Sequence, residues 1–120
     1  MAILSTSTLM KDNVVNPQGE NLGDIKDFMI DTENGRIVYA VLSFGGLFGI
    51  GDKLFAVPMD ALRVDTGDER FVTDIRKDQL EDAPGFNKDN WPRTIDRDFV
   101  TSVYTHYGYE PYYERDAVLA

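Results

Sequence analysis

Apolar positions along the chain fall first into short runs separated by turn-forming clusters, and later into a stripe with four-residue spacing. The clusters are Asn16-Pro17-Gln18-Gly19, Thr32-Glu33-Asn34-Gly35 and Thr66-Gly67-Asp68-Glu69, and the β-rich runs between them predict a small sheet or barrel. Leu22 to Asp31 reads as a first long strand with Phe28 and Ile30 on one face. Ile25 falls on the other face, and a bulge near Lys26-Asp27 reconciles the two. Asn34-Gly35 suits a tight hairpin, from which Arg36 to Phe44 returns antiparallel. That second strand is apolar on both faces, so it is expected at the centre, with barrel core inside it and another element outside. Lys53 to Pro58 follows as a third strand, ended by a proline that cannot continue a ladder. After a turn at Met59-Asp60-Ala61, Leu62 to Asp65 and Phe71 to Ile75 form a hairpin, and Lys77 to Ala83 makes one or two helical turns stopped by Pro84.

Beyond Pro84-Gly85 the pattern changes. Ile95, Phe99, Val103 and Tyr107 recur every four residues, joined by Val100 and Tyr104, which predicts an amphipathic helix. Asp96 and Asp98 suit its positive N-terminal end, His106 its last turn, and Gly108 and Pro111 its stop. Tyr109, Tyr112 and Tyr113 follow in a tyrosine-rich tail that reads as a strap. The expected organisation is a barrel domain over 1–84 and an extension over 85–120 made of linker, helix and tail.

Composition narrows the chemistry. With 12 basic against 21 acidic residues the formal charge is −9, and Arg76-Lys77 is the sole adjacent basic pair, so neither nucleic acid nor an anionic membrane is an expected partner. The absence of cysteine excludes disulfides, thiolate nucleophiles and Cys-ligated metal, and a single histidine excludes the usual His-rich zinc site within one chain. The N-terminal residues carry no signal-peptide pattern, and the weakly polar stretch Ile37 to Ile50 is too short to span a bilayer, so a cytoplasmic location is expected.

The glycine-rich loop Gly45 to Lys53 fails as a phosphate binder on register. A Walker loop from Gly46 to Gly51 needs lysine at 52, where Asp52 stands, and a strand follows instead of a helix N-terminus. Ser43 lacks the glycine that opens a nucleophile elbow. His106 reads as a helix-end histidine, and Asp24, Asp27 and Asp31 as strand-face and turn residues without EF-hand spacing. Trp91 is expected to pin the helix to the barrel.

Several segments together resemble the PRC-barrel domain: Leu9, Val14-Val15, Gly19 to Asp31, Gly35 to Leu42 and Lys53 to Pro58. Asn90-Trp91-Pro92 and Tyr107 to Tyr113 resemble the C-terminal extension of stand-alone bacterial members. The resemblance implies a mainly β fold: a small, highly bent β-barrel followed here by a C-terminal helix and tail. In the photosynthetic reaction centre H subunit and in a ribosome-maturation factor such domains are interaction modules, so the resemblance implies a non-catalytic adaptor without cofactor or metal. The rival is a small-molecule binder or enzyme using residues 45–53 and nearby acids. The stripe and tail, Ile95, Phe99, Val100, Val103, Tyr104, Tyr107, Tyr109, Tyr112 and Tyr113, are the candidate interface, with a homodimer as the simplest assembly.

Overall fold

The structure, a computed structural model, describes residues 3–10, 12–44, 53–83, 85–87 (backbone only) and 97–111. A single turn of helix, α1 (Thr6–Leu9), is capped by the Ser5 hydroxyl, which accepts from the Thr8 amide at 3.2 Å. Strands β1 (Asn13–Val15), β2 (Asn21–Asp31), β3 (Arg36–Phe44) and β4 (Lys53–Pro58) come next. A 3-10 turn at Met59–Ala61 leads to β5 (Leu62–Asp65) and β6 (Arg70–Thr73), then α2 (Lys77–Glu81), β7 (Gly85–Asn87) and α3 (Arg97–His106). The seven strands form one sheet in the order β5-β6-β1-β2-β3-β4-β7. Every neighbouring pair in this sheet is antiparallel except β1 with β6.

That exception places the three-residue β1 between its sequence neighbour β2 and the distant β6, and a buried asparagine fixes its exit. Asn16 Oδ1 accepts from the Glu20 amide at 3.0 Å, closing the β1–β2 turn, while Asn16 Nδ2 donates to the Ile75 carbonyl at 3.2 Å. One amide side chain thus satisfies its own buried polarity and ties the turn to the segment after β6. Strand β7 arises in the stretch expected to be linker; it pairs with β4 through Leu54 and Phe86.

Irregular register makes the sheet bend. Ile25 pairs with Leu42 and Asp27 with Val41, so Lys26 is the extra residue of the expected bulge, and Ile25 and Phe28 both reach the interior. A second irregularity follows, with Met29 opposite Tyr39 and Ile30 opposite Ile37, leaving Val38 without a cross-strand partner. Ile30, expected on the same strand face as Phe28, is 53% exposed: it lies past this second irregularity, beside the Thr32–Gly35 turn. The turn itself is as expected, with Gly35 at φ +65° and its amide donating to the Asp31 carbonyl at 2.8 Å.

Side chains from both ends of the sheet meet in one interior. Val14, Leu22, Ile25, Leu42, Val57 and Leu62, with Thr73, Ile75 and Leu80, enclose a space too small for a water molecule. The meeting of Leu62 from β5 with Val57 from β4 shows that the sheet curls upon itself, and Leu80 of α2 contributes to the same enclosure. Phe28 and Phe71 pack within this interior with ring centroids 6.3 Å apart. Val38 to Leu42 are all buried, so the central strand is covered on both faces, as its sequence demands.

Candidate interaction surface

The outward face of β3 and β4 carries Tyr39, Val41, Leu54 and Ala56, and α3 supplies its cover. Asp98 stands in the first turn of α3, where its charge suits the helix dipole, and His106 in the last turn. Its stripe buries Val100, Val103, Tyr104 and Tyr107, while Phe99 remains half-buried with its ring edge-on to Tyr39 at 6.0 Å.

Two polar contacts orient the helix. The Tyr104 hydroxyl donates to the Val38 carbonyl at 2.5 Å, 66 residues away in sequence. Val38 is the residue that the second register irregularity leaves without a cross-strand partner, so the hydroxyl reaches backbone that the ladder skips. At the other end His106 Nε2 lies 2.8 Å from the Gln79 carbonyl, which requires Nε2 to carry the proton and donate it. The ring also stands edge-on to Tyr107, with centroids 4.9 Å apart. His106 therefore links α3 to α2, in keeping with its helix-end reading.

Tyr107 is the exception to this complementarity. It is 7% exposed, yet its hydroxyl has no hydrogen-bond partner among the described residues. Burial pushes its phenol well above the usual tyrosine range, and pushes that of Tyr39 up to about 12.

These tyrosines make a paired prediction. Tyr104→Phe should cost about 1–2 kcal/mol, because the Val38 carbonyl loses its donor, whereas Tyr107→Phe should be neutral or stabilising because it removes an unsatisfied group. Urea denaturation of both variants checks this at neutral pH. Neutral phenols are favoured in the folded state, so their contribution is intact below pH 10 and declines as the unfolded chain ionises above it. Tyr107→Phe should accordingly soften the alkaline loss of stability.

Of the nine candidate interface residues, the structure brings Val100, Val103, Tyr104 and Tyr107 together against the chain's own barrel. Phe99 and Tyr109 are half-buried at its margin. Ile95, Tyr112 and Tyr113 lie outside the described residues, as do Trp91 and the glycine-rich loop up to Asp52. Sequence reading missed the strand side of this contact, Val38 and Tyr39. The available signal was the two-faced apolar pattern of β3, which announced a cover without naming it.

Other polar candidates build structure. Asp27 Oδ1 accepts from the Phe28 amide at 2.8 Å beside the first bulge, and Asp31 Oδ1 accepts from the Glu33 amide at 3.0 Å in the hairpin turn. Ser43 is a half-buried strand residue opposite Leu54. The Asp12 carboxyl is raised, first by desolvation and then by the charge of Glu69, a pair that includes neither His106 nor Lys53. An open groove of about 400 Å³ runs between Gln18, Glu20, Arg76, Lys77, Asp78 and Glu81. Its charges are of both signs, and Arg76 Nε already meets Asp78 Oδ1 at 3.1 Å. Among the described residues no three His, Asp or Glu side chains group to hold a metal, and no helix is long and apolar enough to cross a membrane.

A search of curated proteins finds no significant match. The profile of the PRC-barrel domain matches residues 1–80, which takes in β1 to β6 and most of α2. The curled sheet with its shared interior agrees with that match, and the chain belongs to the PRC-barrel domain family.

Proposed function

We propose that this chain is a non-catalytic protein–protein interaction module that works in the cytoplasm and self-associates as a twofold dimer. The observation that carries the reading is the disposition of its apolar surface. Among the described residues the space between Val14, Leu22, Leu42, Val57 and Leu80 is too small for a water molecule, whereas Phe99 and Tyr109 keep part of their surface at the margin of the docked helix. Aromatic groups so placed are typical contact residues, and a twofold axis lets one such patch cover its copy. Ile30 at 53% and Val64 at 38% exposure add apolar surface elsewhere on the sheet.

Light scattering at micromolar concentration tests the assembly. The expected mass is twice 13.6 kDa, and Tyr109→Asp should shift it toward 13.6 kDa with the far-UV spectrum retained. Phe99→Asp should act in the same direction, with some loss of stability because its ring also packs on Tyr39. A native mass of 13.6 kDa would end the dimer proposal.

A further inference from the structure

The face beneath α3 has the properties of a binding site. The small space inside the barrel is lined by side chains from Val14 to Leu80, none of them from α3, whose buried residues pack instead toward the outer face of β3 and β4. What it covers is continuous and apolar: Tyr39, Val41, Leu54 and Ala56 are each no more than 3% exposed in its presence. A helix of ten residues is marginal in isolation, so the contacts with this face determine whether α3 is formed and held.

Those contacts contain one specific recognition element and one misfit. Tyr104 reaches the Val38 carbonyl that the ladder skips, a contact that requires a donor in register with this part of β3. Three residues further on, the Tyr107 hydroxyl is enclosed without a partner, and its desolvation weakens the hold of the native helix. A helix with the same stripe but phenylalanine at the second place would keep the ring packing without that penalty.

We infer that the outer face of β3 and β4 is a helix-docking site, which α3 occupies as a replaceable internal ligand. The partner it fits is an amphipathic helix with valines placed as Val100 and Val103, a tyrosine placed as Tyr104, and phenylalanine in the place of Tyr107. The inference rests on the interaction-module reading and names the surface and kind of partner.

Fluorescent peptides spanning 97–111 provide the test, titrated onto the full chain carrying Tyr104→Phe, whose own helix has lost its hydrogen bond to β3. The peptide with Tyr107→Phe should bind saturably and about fivefold more tightly than the native-sequence peptide. Adding Tyr104→Phe to that peptide should weaken it by about the same factor. Hydrogen exchange on the unaltered chain gives a second arm, in which α3 amides should exchange through a local opening, well before those of Tyr39 to Leu42. Absence of saturable binding up to about millimolar peptide, the effective concentration of a tethered segment, would overturn the site. So would exchange of α3 only in step with the strands. A dimer seen by light scattering alongside failed peptide binding would leave the interaction-module reading on another surface; a monomer that binds the peptide would remove self-association and retain the docking site.

Discussion

Gly23→Ala is expected to lower stability by about 4 kcal/mol, a large fraction of the stability of a domain this size. Gly23 lies in β2 at φ +108°, opposite Val14 of β1, at the point where the register between those strands shifts. A Cβ built there would sit 1.9 Å from the Ser43 carbonyl oxygen and 3.0 Å from its carbon. Both atoms are backbone of the central strand, so relief requires moving β3 and with it the cover on both its faces. Backbone strain alone accounts for about 1–3 kcal/mol, and displacement of the ladder adds the remainder. Gly35 is the natural control: its φ is +65°, but nothing lies within 4 Å of the added carbon. Gly35→Ala should therefore cost only about 1–2 kcal/mol, the strain of a left-handed residue. Urea denaturation of the two variants separates conformational strain from close approach. Equal losses would show that the contact between β2 and β3 at Ser43 does not hold the fold.

This close approach was hidden in the sequence, and the reason illustrates which features were legible. Asn34-Gly35 announced its hairpin because a tight turn is a local requirement. The bulge at Lys26 was also legible, since Ile25 and Phe28 cannot both reach one interior through regular alternation. Ile30 failed the same reasoning because its fate depended on the second irregularity, whose extra residue, Val38, lies on the partner strand. The helix α1, with four residues, and strands β1 and β7, with three each, are too short to display a period. β1 moreover takes its place through a parallel pairing with β6, more than fifty residues away. The α3 stripe was plain at the level of one helix, while its destination was not. Amphipathicity says that a face will be covered and leaves the covering surface open, and the decisive Tyr104 contact spans 66 residues. Val100, Val103, Tyr104 and Tyr107 could thus be read as candidate interface residues from sequence and still lie buried against their own barrel.

Phe71→Ala carries the other large expected effect, a loss of about 3–5 kcal/mol. Phe71 is fully buried and packs against Phe28 at 6.3 Å. Its strand, β6, pairs parallel with β1 and antiparallel with β5, so the side chain stands where a local hairpin joins the rest of the sheet. Truncation leaves a void among side chains from several strands, which cannot all move inward without breaking their ladders. The midpoint of thermal unfolding should fall by about 10–20 °C in a domain of this size. Val64 supplies the comparison, because it lies directly opposite Phe71 in register but is 38% exposed. Val64→Ala should cost about 1 kcal/mol or less, since much of its surface is already hydrated and no closed cavity results. Comparable losses for the two variants would mean that β5 and β6 do not close over the interior. A selective loss at Phe71 would instead locate the stabilising contact on the inner side of the curl. Phe71→Ala should accelerate exchange at barrel and helix amides together, whereas Tyr104→Phe, which removes a bond of α3 to β3, should act on α3 first.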